Sequence, residues 1–132
     1  MSNIAIVTVD DEKIILDSIR IQLEKKYSDK YMLEFAESAE EALEVIETLV
    51  HEKIEIVLII SDYSMPAMKG DEFAKVLKLK FPTINIVMLT GQITAELSKE
   101  LITKNIVIKV IPKPWKEEDL FSILNKIVIH EN

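Results

Sequence analysis

Five short runs of apolar, largely β-branched residues recur along the chain, and they restrict its fold more than any other feature. They are IAIVTV (4–9), MLEFA (32–36), IEIVLIIS (54–61), INIVMLT (84–90) and NIVIKVI (105–111). Most lack the polar alternation of a half-solvated strand. Strands of that kind are buried on both faces, as in a parallel sheet covered by helices. The stretches between them are amphipathic. Ile15, Leu16, Ile19 and Leu23 recur at helical spacing within 12–26, and Ala42, Leu43, Val45, Ile46 and Leu49 do so within 39–50. Ser38-Ala39-Glu40-Glu41 opens the second of these with the S-x-x-E pattern of a capping box. Residues 71–80 and 93–103 are shorter helical candidates. Residues 117–129 begin with Glu117, Glu118 and Asp119, which suit the positive end of a helix dipole. The order is βαβαβαβαβα, an α/β layering with right-handed crossovers and helices on both faces of the sheet.

At 132 residues the chain is long enough for one domain with a real core, and no linker or repeat divides it, so a single domain over 1–132 is expected. A net charge of −7 argues against a nucleic-acid surface, which needs a basic patch. The chain has no cysteine, which excludes disulfides and zinc-thiolate sites and fits a reducing, cytoplasmic setting. The beginning MSNIAIVTVDD lacks the basic and long apolar regions of a signal peptide, and no apolar run reaches the roughly 18 residues of a membrane span. Gly70 and Gly91 are the only glycines, too few for a GxGxxG turn or a P-loop. His51 and His130 stand apart in polar stretches and do not suggest a metal pair.

Ligands of open α/β sheets bind beyond the carboxyl ends of the strands. Asp10 and Asp11 follow the first apolar run, Asp62 the third, Thr90-Gly91 the fourth and Lys113 the fifth. Each has an ordinary explanation. Asp10 or Asp11 can cap a helix, and Asp62 can start a turn completed by Pro66 and Gly70. Thr90-Gly91 can be a plain strand exit, Lys113 a solvated lysine between Pro112 and Pro114, and Trp115 a packing residue. These explanations leave the recurrence at corresponding strand ends unaccounted for. Three clustered carboxylates suit a hard divalent cation such as Mg²⁺. A carboxylate beside that ion can attack phosphorus, and a lysine ammonium and a threonine hydroxyl can meet the charge on the transferring group. A metal would also relieve the repulsion between Asp10 and Asp11.

The four segments VDDE, SDYSMP, MLTG and KPW, in that order, resemble the receiver domain of two-component response regulators, the chemotaxis-regulator-like family. The resemblance spans essentially the whole chain. It implies a flavodoxin-like, doubly wound (βα)5 fold with a five-stranded parallel sheet in the order 2-1-3-4-5. It implies that Asp62 is the phosphoacceptor, that Asp11, Asp62 and the backbone carbonyl of Ser64 bind Mg²⁺ directly, and that Asp10 acts mostly through water. Thr90 is similar to the family's switch hydroxyl and Lys113 to its lysine, with a cis Lys113-Pro114 bond. Receivers usually carry an aromatic residue three positions before that lysine, whereas this chain has Val110. The LTGQ and PKPW wording looks most like receivers attached to cyclic-dinucleotide phosphodiesterase or other output domains.

The implied function is a cytoplasmic phosphoacceptor, a signalling switch rather than an enzyme. It would be phosphorylated by a sensor histidine kinase or phosphotransfer protein and read by an output domain or protein, with no nucleic acid or membrane bound by this domain. Two alternatives are a Mg²⁺-dependent aspartyl-phosphate phosphohydrolase and a receiver that docks without phosphorylation. The first normally carries its nucleophile in a D-x-D pattern after the first strand, which is absent here. The intact Asp62, Thr90 and Lys113 weigh against the second.

Overall fold

The structure is a computed structural model that describes residues 3–131, with side chains to residue 127. Its elements are β1 (Ile4–Val9), α1 (Lys13–Tyr27), β2 (Met32–Ala36), α2 (Ala39–His51), β3 (Glu55–Asp62), α3 (Gly70–Lys80), β4 (Ile86–Thr90), α4 (Ala95–Thr103), β5 (Lys109–Pro112) and α5 (Glu117–Glu131). The strands form one parallel sheet in the order β2-β1-β3-β4-β5. Both the (βα)5 alternation and the 2-1-3-4-5 order match the expectation. The His130 side chain lies outside the described residues.

Side chains alternate across each strand, so the sheet feeds two cores. Val7, Val9, Ile59, Ile86 and Met88 pack with Ile46 of α2, Phe73 and Leu77 of α3 and Leu101 of α4. Ile6, Leu58, Ile60, Leu89 and Ile111 pack with Ile19 and Leu23 of α1 and with Leu120 and Leu124 of α5. The core-facing helical residues at the sequence-derived spacings, Leu16, Ile19, Leu23, Ala42, Ile46 and Leu49, are buried.

Helix boundaries follow local chemistry. The Ser38 hydroxyl accepts the Glu41 amide at 3.1 Å, as the capping pattern predicts. The Glu41 carboxylate accepts the Glu37 amide at 2.7 Å, one residue earlier than in the reciprocal box. Thr94 caps α4 in the same way, accepting the Leu97 amide at 3.1 Å, so that helix starts two residues later than predicted.

The fifth strand is the larger difference. The run from 105 was expected to be strand, but Asn105 takes φ 59° and closes α4. The Asn105 amide bonds Ile102 O at 3.0 Å and the Ile106 amide bonds Leu101 O at 2.9 Å, the paired bonds of a Schellman cap. Only from Ile108, whose amide donates to Ile86 O at 2.8 Å, does the chain join the sheet. Lys53 closes α2 identically at φ 63°, its amide bonding Val50 O and the Ile54 amide bonding Leu49 O.

Candidate functional site

The parallel register brings the polar strand exits to one edge of the sheet. Asp62 is the last residue of β3 and lies opposite Leu89, and Thr90 ends β4 opposite Pro112. Asp10 follows β1 directly, and its amide donates to Ala36 O at 3.1 Å, which carries the pairing with β2 one residue past the strand. Lys113 follows β5, its amide donating to Thr90 O at 3.0 Å. The peptide bond from Lys113 to Pro114 is cis, as the resemblance implied.

The Lys113 ammonium joins two acids. Its Nζ donates to Asp10 Oδ2 and to Asp62 Oδ1, both at 3.1 Å. Those two carboxylates are almost fully buried, whereas Lys113 keeps a little solvent access. Asp10 Oδ1 also accepts the Glu12 amide at 2.8 Å. Asp10 therefore anchors the turn into α1 while facing the site, but neither it nor Asp11 caps the helix, because the chain enters α1 two residues beyond Asp10. Glu12 itself is the N-cap of α1 and makes no side-chain cap bond.

Burial dominates the electrostatics. It raises the Asp10 carboxyl above the ordinary carboxylate range, against the Glu12 amide and Lys113, which favour the charged form. The Asp62 carboxyl is raised by burial and then by the Asp10 charge, with Lys113 and the Ser64 amide opposing. Burial alone would lower Lys113, but its bonds to Asp62 and Asp10 outweigh this and hold its pKa above the usual lysine value.

Asp10, Asp11, Glu12 and Asp62 each offer a carboxylate oxygen, and the four oxygens lie within 4.8 Å of one another. All are hard oxygen donors, two buried and two exposed, which fits a small divalent cation that keeps part of its water shell. The structure thus gathers Asp10, Asp11 and Asp62 as expected and adds Glu12. The Glu12 signal was visible as the third consecutive acid of VDDE, although the residue also begins α1. Glu12 additionally reaches Lys113 at 4.0 Å.

Thr90 is buried at the same edge, and its hydroxyl accepts the Gln92 amide at 3.0 Å. Val110 is half-buried. With Thr90, Thr94, Ser98 and Lys113 it lines an open cleft of about 350 Å³. Trp115 does not point at the acids. Its indole Nε1 donates to Gln22 Oε1 of α1 at 2.8 Å, an interaction with no signal in the sequence.

Comparison with known proteins bears on this geometry. The family model for the response regulator receiver domain matches residues 6–125. The chain belongs to this family. It is 32% identical over 123 residues to the transcriptional regulatory protein YesN of Bacillus subtilis, covering 93% of this chain and 32% of YesN. It is 25% identical over 122 residues to the DNA-binding transcriptional regulator NtrC of Proteus hauseri, covering 92% of this chain and 24% of NtrC. The receiver domain thus spans a third or less of these relatives' length. Among solved structures, the signal receiver domain of an HD domain-containing protein from Pseudomonas fluorescens Pf-5 superposes with a TM-score of 0.82 at 25% identity, over 96% of this chain and 94% of that one. A CheY-like receiver domain protein from Methanospirillum hungatei superposes with a TM-score of 0.78 at 29% identity, over 96% and 95% of the two chains.

Proposed function

We propose that residues 1–132 form one receiver domain that accepts a phosphoryl group on Asp62 and so switches the conformation read by an output domain or protein. The observation that carries this reading is the Lys113 ammonium held at 3.1 Å from both Asp10 and Asp62, with Asp11 and Glu12 beside them at the mouth of the sheet. Asp10, Asp11, Asp62 and the backbone carbonyl of Ser64 would hold Mg²⁺. When bound, the ion would offset charge on the acids and on the phosphoryl oxygens.

An Asp62 carboxylate oxygen attacks phosphorus and forms the acyl phosphate bond. The bond from phosphorus to the donor breaks, and the donor leaves with its electron pair, a histidine imidazole from a sensor kinase or phosphotransfer protein, or acetate from acetyl phosphate. Lys113 then exchanges its contact with the Asp62 carboxylate for one with a phosphoryl oxygen, and the Thr90 hydroxyl donates to another. Lys113 is already at the carboxylate, and the Thr90 hydroxyl, which accepts the Gln92 amide, keeps its own proton to donate. Phosphorylation in this way shifts the balance between two conformations of the domain. The role is that of a cytoplasmic signalling switch, with no nucleic-acid or membrane contact by this domain. Among the described residues, no helix is long and apolar enough to cross a membrane.

Incubation with acetyl phosphate and Mg²⁺, followed by intact mass spectrometry, tests the assignment. Wild type should gain one phosphoryl group, and Asp62→Asn none. Label persisting on Asp62→Asn would remove Asp62 from its role, and release of phosphate from many unrelated esters would favour the phosphohydrolase alternative.

A further inference from the structure

The first turn of α3 lies directly against the main chain of Asp62. A Cβ added at Gly70 would collide with the Asp62 carbonyl oxygen and would come within 2.6 Å of Tyr63 Cα. Both are backbone atoms, so no side-chain rearrangement can make room. Gly70 takes no positive φ, so its bare Cα serves close approach and not a special backbone conformation. The Gly70 amide donates to Tyr63 O at 2.8 Å and closes the loop from 63 to 70 at its base. That loop contains Ser64, the expected carbonyl ligand, and Met65, whose side chain is buried in the core beneath α3.

The same Asp62 carbonyl oxygen has a second partner. Ser61 is fully buried, and its hydroxyl donates to Asp62 O at 3.0 Å. A hydroxyl in this position of an otherwise apolar strand is costly unless it is bonded. It spends its donor on the residue that carries the chemistry. The phosphoacceptor's main chain is thus seated between the Ser61 hydroxyl and the bare Cα of Gly70, and Tyr63 is pinned on by its amide bond to Leu89 O at 3.2 Å.

We infer that Gly70 and Ser61 are positioning residues that seat the Asp62 carbonyl, and thereby set the direction of the Asp62 carboxylate and the place of the Ser64 carbonyl. The inference rests on the receiver reading of Asp62. A displacement of about 1 Å in a reacting group costs up to about a hundred-fold in rate. Any side chain at position 70 must move either α3 or the end of β3.

The test uses wild type, Gly70→Ala, Ser61→Ala and Ser61→Thr. Circular dichroism and urea unfolding establish the folded fraction. Calorimetry gives the Mg²⁺ affinity, and intact mass spectrometry gives the acetyl phosphate rate at saturating Mg²⁺, each per folded molecule. Gly70→Ala should bind Mg²⁺ more weakly and react about ten-fold or more slowly even when saturated. Ser61→Ala should slow the saturated reaction about three-fold or more, and Ser61→Thr, which keeps the donor, should restore it. A purely structural role would lower stability and leave the affinity and rate of the folded molecules unchanged. Should Gly70→Ala not fold, the Ser61 pair decides alone. A folded Gly70→Ala with wild-type affinity and rate, or a Ser61→Ala as fast as wild type, overturns the inference while leaving the receiver reading intact. A wild type that takes up no phosphoryl group overturns both.

Discussion

Asp62→Asn should stabilise the metal-free protein and remove most of the stability it gains from Mg²⁺. The Asp62 carboxylate is 3.1 Å from the Lys113 ammonium, an attraction of about 5 kcal/mol at an effective dielectric of about 20. Oxygens of Asp10 and Asp11 lie within 4.8 Å of one on Asp62, so each repulsion is about 3.5 kcal/mol on the same scale and the two together about 7 kcal/mol. The balance is about 2 kcal/mol against the Asp62 charge, before the cost of burying it. Screening at the exposed Asp11 reduces the expected gain to about 1 kcal/mol. The raised Asp62 carboxyl has the same sign, since burial and Asp10 together outweigh Lys113. A carboxyl raised on folding contributes stability below its unfolded pKa and loses it as pH rises through the folded value. The advantage of Asp62→Asn should therefore be small near pH 4 and open as the solution approaches about pH 7.

Urea unfolding in EDTA reads this directly. With a slope of about 1.5 kcal/mol per molar, the Asp62→Asn midpoint should rise by roughly 0.7 M at neutral pH. Mg²⁺ at a hundred times its dissociation constant adds about 2.7 kcal/mol to wild type, more than the variant's head start, so the order should reverse. If Asp62→Asn is the less stable protein in EDTA at neutral pH, or if Mg²⁺ shifts both curves equally, Asp62 does not share one metal site with Asp10 and Asp11.

Lys113→Met should act in the opposite direction. It strands two buried acids, and, discounted for the lysine's partial exposure, it should cost about 2 kcal/mol in EDTA at neutral pH, with the loss shrinking as acid protonates Asp10 and Asp62; a loss independent of pH would refute the bridging role. Lys53→Gly should raise stability by about 0.5–1 kcal/mol in urea, because Lys53 holds φ 63° at the end of α2 without the freedom of glycine; an unchanged midpoint would show that this turn carries no strain. Trp115 should report on the site through α1 rather than directly. Its emission should change on Mg²⁺ addition in wild type, and Gln22→Ala should alter the starting spectrum by removing its 2.8 Å partner; a spectrum unaffected by Gln22→Ala would place the indole elsewhere.

The apolar runs by themselves determined the layering, because a strand without polar alternation has to be covered on both faces and only alternating helices can do that here. They also located the candidate site, since the carboxyl end of a parallel strand is where its first polar residue emerges. Asp10, Asp62, Thr90 and Lys113 could be placed from this alone. The helical spacings of α1 and α2 and the Ser38 cap were legible too, because all are interactions within one or two turns. Asn105 carried a cap signal of its own, but it stood at the head of an apolar run that reads equally well as strand. Whether Ile106 and Val107 close a helix or extend a sheet depends on how far β4 reaches, and that is a tertiary matter.

Only the folded chain decided which groups touch. Lys113 and Asp10 are separated by 103 positions, and the bridge between them exists because strands β1, β3, β4 and β5 are stacked in register. Glu12 joins the acids because the Asp10 carboxylate holds its amide and turns the chain back across the site. Trp115 is tied to α1 by a helix-to-loop contact that no local pattern encodes. Gly70 reads in the sequence as one more turn residue. Its close approach to Asp62 appears only when α3 is laid against the end of β3, because a missing Cβ has meaning only where another atom occupies its place.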